Sequence, residues 1–163
     1  MKKAAAFGAL LTVMVAAAAL ISGFYPIQSQ FAAKDLKSTL EGMGHELKVL
    51  EDEVGKEKWE FTINRHELDI PVGAEISASK NYIWLTVYLG DIKDIAAVKA
   101  SKLVGLLKGN SKVQPAQFYI TESDGLWCAL PIDNRALTTP VLKRCVDMIV
   151  DAVGKNQDLW EGF

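Results

Sequence analysis

Histidine and cysteine are scarce in this sequence: His45, His66, Cys128 and Cys145 are all that 163 residues contain. No Cys/His/carboxylate group stands at metal-ligand spacing, which argues against a zinc site. Both histidines read as surface residues, His45 in a helix beside Gly44 and His66 in a turn. Gly105, Gly109 and Gly125 are isolated, so there is no phosphate-cradling loop. A nucleophilic Cys128 would need a depressed pKa and a neighbouring base, and no pattern supplies either. The sequence therefore calls for no cofactor, and an enzyme, cysteine-dependent or histidine-dependent, is disfavoured. There is also no basic run. Apart from Lys2 and Lys3 the chain carries 16 basic and 20 acidic side chains, a net charge of −4. Cation-to-phosphate contacts dominate nucleic-acid affinity, so nucleic acid is disfavoured as a partner. An anionic lipid surface is disfavoured on the same ground. Repeats and low-complexity tracts are absent, and Glu51-Asp52-Glu53 reads as a solvated turn.

Long apolar runs are confined to the beginning. Lys2-Lys3 precede an uncharged stretch, Ala4–Ile21, followed by Ser22-Gly23 and Pro26. A basic stretch followed by an apolar one is the pattern of an export signal. The run exceeds the usual core of ~7–15 residues and approaches the ~20 that span a bilayer. Two readings stay open: a signal cleaved after Gly23 or Ser29, or a retained anchor tethering the chain through Ala4–Ile21. In both, residues 30–163 form one domain outside a membrane, periplasmic or extracellular.

The rest is rich in alternating and helical patterns. Leu36, Leu40, Met43, Leu47 and Leu50 form one seam, predicting a helix from Phe31 to about Leu50. Gly42 and Gly44 weaken its middle and allow a kink or an earlier end. Strands are expected over Lys58–Ile63, Glu67–Ser77 and Tyr82–Leu89, with a turn at Asn64–His66 and Pro71 marking an edge or a bulge. A second helix starting near Asp91–Asp94 carries Ala96, Ala100, Leu103 and Leu107 on one side and stops near Gly109-Asn110. Gln117–Glu122 and Leu126–Leu130 then flank Ser123-Asp124-Gly125, a three-residue hairpin turn with Gly125 in the left-handed position. That register pairs Ile120 with Cys128 and Phe118 with Leu130. Thr139-Pro140 opens a last helix whose stripe is Leu142, Cys145, Val146, Ile149, Ala152 and Val153, with Gly154 as its stop. The order is α-βββ-α-ββ-α: an α+β domain with an antiparallel five-stranded sheet.

That order, with Leu103–Asn110 (LVGLLKGN), Phe118–Thr138 (FYITESDGLWCALPIDNRALT), Thr139–Val153 (TPVLKRCVDMIVDAV) and Trp160, resembles the type III secretion chaperone-like superfamily, in particular its YbjN-like branch. The resemblance covers nearly all of the chain after residue 30. It implies a compact sheet-and-helix domain that binds other polypeptides and often dimerises, without catalysis.

One feature points to a site. If Ile83, Leu85 and Val87 face the helices, then Tyr82, Trp84 and Tyr88 face away, and the hairpin sends Tyr119 and Trp127 the same way. Tyr and Trp combine contact area with a hydrogen-bonding tip, which suits a partner polypeptide or a second copy of the chain. The competing expectation is that the second helix or the first strands cover these five side chains. Cys128 and Cys145 both fall on the helix–sheet contact, where either a disulfide or two buried thiols is compatible with the pattern. The sequence thus leads to an exported binding module, with a membrane-anchored structural or dimerising domain as the alternative. Intact-mass analysis of the native protein separates the two: cleavage predicts an N-terminus at Phe24 or Gln30, and retention of Met1 keeps the anchor.

Overall fold

The computed structural model describes residues 30–163, so the expected signal or anchor lies outside the described residues. Helix α1 (Ala33–Gly42) leads into strands β1 (Lys48–Glu51), β2 (Lys58–Arg65), β3 (Leu68–Ile76) and β4 (Tyr82–Asp91). Helix α2 (Ala100–Val113), strands β5 (Gln117–Ile120) and β6 (Gly125–Asp133), helix α3 (Thr139–Gly154) and a short α4 (Gln157–Trp160) follow. Every strand pairing is antiparallel, in the order β1-β2-β3-β4-β6-β5.

The sheet has six strands rather than the expected five, because the first helix ends early. Gly44 takes a left-handed φ of +91° and its N–H closes a turn onto the Glu41 carbonyl, a geometry glycine adopts freely. The leucine seam therefore breaks: Leu36 and Leu40 are buried, while Lys48–Glu51 becomes edge strand β1, with Val49 and Leu50 half exposed. The β2–β3 turn is His66-Glu67, both at positive φ, one step beyond the expected Asn64–His66. Pro71 sits where the β3–β4 ladder has stopped, at Gly73, so its missing N–H costs that ladder no bond. Pro131 likewise stands past the last β5–β6 pair, Gln117–Ala129.

In the last hairpin the register differs from expectation by two residues. Ile120 pairs with Leu126 and Phe118 with Cys128. Thr121 N–H donates to the Gly125 carbonyl, and Asp124, not Gly125, takes the left-handed position. A shift of two leaves every side chain on its predicted face, because strand side chains alternate with period two.

Packing centres on α3. Leu142, Cys145, Val146, Ile149, Ala152 and Val153 are all buried, as the stripe predicted, together with Val150. They lie against β2, β3, β4 and β6, which contribute Phe61, Val72, Leu85, Cys128 and Leu130. The structure holds no Cys128–Cys145 bridge; both are buried free thiols.

Two asparagines make matching clamps. Phe118 N–H donates to Asn110 Oδ1 (2.7 Å) and Asn110 Nδ2 donates back to the Phe118 carbonyl (3.1 Å), satisfying part of the outer edge of β5. Asn134, fully buried, holds Phe31 by the same pair of bonds at 3.0 and 3.1 Å and also donates to the Lys80 carbonyl. Helix α2 thus runs through Gly109-Asn110 instead of ending there, and begins only at Ala100. Asp94 caps a separate 3-10 turn, Ile95–Ala97.

The β2–β3 tip is tied to the end of α3. Arg65 reaches Asp147 (2.7 Å) and Asp151 (3.3 Å), His66 Nε2 lies 2.9 Å from Asp151, and Lys155 lies 2.8 Å from it. The Lys155 ammonium first, then His66 and Arg65, lower the Asp151 pKa to about 2. An unfolded Asp titrates near ~3.9. The cluster therefore adds stability above about pH 4 that is lost as pH falls toward 2. Urea midpoints measured across that window should fall less steeply for Asp151→Asn than for the wild type. Ile149→Ala should cost about 2–5 kcal/mol in the same assay, as a fully buried large-to-small change.

Candidate functional site

Each strand's alternation sends one set of side chains under the helices and the other to the opposite surface. On the helix side Ile83, Leu85 and Val87 of β4 are at most 2% exposed. On the other side stand Tyr82, Trp84, Thr86 and Tyr88. The β4–β6 register sets Trp84 across from Pro131 and Tyr88 across from Trp127, and the β5–β6 register sets Tyr119 across from Trp127. All five aromatics expected to share a face do share it. Tyr82, Tyr88 and Tyr119 are 44%, 44% and 40% exposed, and Trp84 and Trp127 are half-buried. Helix α3 contacts only the other surface and α2 follows β5 at the sheet's margin, so neither covers them.

The aromatics form two pairs. Tyr88 and Trp127 have ring centroids 4.9 Å apart at 51°, and Tyr82 and Trp84 6.5 Å apart at 45°, within the range of favourable tilted contacts. Gly125 makes room for Trp127: a Cβ there would fall 2.9 Å from the indole nitrogen. Between the pairs run two depressions. One, of about 440 Å³, is bordered by Pro71, Gly73, Tyr88, Thr121 and Trp127. The other, of about 470 Å³, is bordered by Trp84, Gln117, Ala129 and Pro131. They meet at Glu75, Thr86 and Tyr119, giving one trough across the strands. Gly73 is needed here as well, since a Cβ would lie 2.7 Å from Thr86 Oγ1.

Polar groups are segregated along the face. On β1–β3, Lys48 pairs with Glu60 at 3.0 Å and Lys58 with Glu75 at 2.5 Å, while Asp69 on the same face accepts from Asn64 Nδ2 and has no cationic partner among the described residues. The neighbouring Asp91 carboxylate raises the Tyr88 pKa, and burial raises that of Tyr119, so both phenols stay protonated at neutral pH. The trough residues Gly73, Glu75, Thr86 and Pro131 were not singled out by sequence. Glycine within a strand is the one signal that pointed there, since it marks close approach of another group.

Elsewhere the arrangement offers little chemistry. Burial pushes the Cys128 thiol up to about 12 and raises that of Cys145, opposite to the shift that activates a nucleophile. His45 is half-buried and lies beyond the end of α1 rather than in a helix as expected. It stacks on Phe61 at 4.4 Å, and burial lowers its pKa. Among the described residues no three His, Cys, Asp or Glu side chains gather as a metal site, and no helix is long and apolar enough to cross a membrane.

No family model matches the sequence, and no curated protein does. Solved structures do. An uncharacterized protein from Methanothermobacter thermautotrophicus aligns at 14% identity over 78% of this chain and 93% of its own, with a TM-score of 0.53. A chain of the HopA1–SchA chaperone–effector complex aligns at 17% identity over 71% and 84%, with a TM-score of 0.49. A chain of the heterodimeric ExoU–SpcU complex from the type III secretion system of Pseudomonas aeruginosa aligns at 14% over 77% and 98%, also at 0.49. The likeness to the Methanothermobacter protein shows a shared fold and nothing of activity.

The exposures make a spectroscopic prediction. Acrylamide should quench Trp84 and Trp127 but not Trp59, which is 5% exposed on the helix side. Trp84→Phe and Trp127→Phe should each lower the quenchable fraction of the emission, and Trp59→Phe should raise it.

Proposed function

We propose that this chain is a non-catalytic, exported protein-binding module of secretion-chaperone-like fold, close to the YbjN-like branch, which captures a polypeptide in the aromatic trough. The observation that carries the reading is the uncovered set Tyr82, Trp84, Tyr88, Tyr119 and Trp127. Aromatic side chains are enriched at protein interfaces and dominate their hot spots. A sheet face with a helix-free trough accepts a segment of chain lengthwise, while the β1–β3 half forms a polar, largely ion-paired margin. The sequence resemblance to secretion chaperone-like domains, and the export-type N-terminus, support the same reading.

A pull-down with the native protein, followed by identification of what is retained, tests it. Trp84→Ala and Trp127→Ala should each weaken retention roughly tenfold or more, as hot-spot truncations do, with the melting temperature within a few degrees of wild type. If both variants unfold, those indoles are core and the reading fails. If both fold and retain the partner undiminished, the partner binds elsewhere.

A further inference from the structure

The net charge of −4 hides a segregation along the chain. From Ile95 to Thr121 there are four lysines, Lys99, Lys102, Lys108 and Lys112, and no acidic residue. Among the described residues every ion pair lies on other elements, so none of the four has an acidic partner. Of the nearby acids, Asp158 on α4 and Glu161 just after it are exposed and make no ion pair among the described residues. Asp94 accepts from its own turn, and Lys102 bends inward to donate to the Glu161 carbonyl and sit 5.1 Å from the Phe163 ring. Lys99, Lys108 and Lys112 remain exposed.

Helix α2 also carries more apolar surface than the fold uses. Its packed side is Leu106, Gly109 and Val113. The expected stripe of Ala96, Ala100, Leu103 and Leu107 instead points largely outward: Leu107 is 68% exposed and Val104 beside it 46%, with Ile95 at 38% just before the helix. The helix cannot turn to hide them. A Cβ at Gly109 would lie 2.3 Å from Leu159 Cδ1, so α2 and α4 are in close contact there, and Asn110 is pinned to both backbone groups of Phe118. The rotation is fixed with Leu107 and Val104 outward, flanked on the next turns by Lys108 and Lys112.

We propose, against the expectation drawn from the net charge of the whole chain, that this outward face of α2 docks on an anionic lipid surface. Protein interfaces are depleted in lysine and enriched in aromatics and arginine, a description that fits the sheet trough and not this helix. Aliphatic side chains bordered by lysines fit the boundary between headgroups and acyl chains, where each lysine strengthens attachment roughly fivefold. A second copy is a poor occupant, because two such faces would set lysine against lysine. The face is independent of the aromatic trough, so either assignment can fail alone.

The test uses Leu107→Cys in the full chain, labelled with an environment-sensitive fluorophore; Cys128 and Cys145 are buried, which confines the label to position 107. Phosphatidylcholine vesicles containing phosphatidylglycerol should shift the emission to the blue and allow quenching by nitroxide lipids. Pure phosphatidylcholine should not, whether or not Ala4–Ile21 inserts. The shift should vanish near ~1 M salt, where the screening length is only about 3 Å. Adding Lys108→Glu and Lys112→Glu should weaken it roughly tenfold or more without changing the melting temperature. Absence of the shift on anionic vesicles overturns the proposal. So does a response to polyglutamate alone, which would assign the face to an acidic polypeptide, or one that grows with protein concentration without lipid, which would assign it to a second copy.

Discussion

Burial of the α3 stripe on one side of the sheet is the interaction on which the remaining architecture depends. Leu142, Val146, Ile149 and Val153 give up their water against Val72, Leu85 and Leu130, each at most 2% exposed. The gain is on the order of 2 kcal/mol for each large aliphatic side chain. A strand's side chains alternate, so committing Leu85 and Val87 to the helix commits Trp84 and Tyr88 to the far surface. The aromatic trough thus follows from the same alternation that builds the core, and among the described residues no helix covers it, because α2 is held at the margin of β5.

The two asparagine clamps show how the margin is kept in place. Asn110 gives an edge strand the donor and acceptor that a further strand would otherwise supply. Asn134 does the same for Phe31, the point at which the chain arrives from its N-terminal segment. Buried amides without partners would be costly, and no buried side-chain nitrogen or oxygen among the described residues lacks one. The molecule therefore presents two surfaces of different chemistry, an aromatic trough on the sheet and a lysine-bordered aliphatic stripe on α2.

Much of this was legible in the sequence where one periodicity ran unopposed. The β4 alternation from Tyr82 to Leu89, the α3 stripe and the five outward aromatics were all read correctly, since each face has one possible destination. The failures come where two patterns compete. Leu47 and Leu50 continue a helical spacing begun at Leu36, yet Gly44 ends the helix and Lys48–Glu51 is recruited by β2. Helix α2 has apolar residues on two sides, and Ala100/Leu103/Leu107 is the longer run. The packed side is decided by Gly109 against Leu159 and by Asn110 against Phe118, contacts across 50 and 8 residues that no local pattern reveals. The hairpin register was off by an even number, so the face assignment survived the error. The Arg65–Asp151 cluster joins residues 86 apart and left no mark in the sequence.

The central claim, that the helix-free sheet face is open in the isolated protein and closed by a polypeptide, is tested most directly by hydroxyl-radical footprinting with and without the captured partner. The account predicts oxidation of Tyr82, Trp84, Tyr88, Tyr119 and Trp127 in the free protein and their joint protection in the complex, with Trp59 silent in both. Unchanged oxidation of all five on binding, with protection falling on the helix side instead, would contradict it.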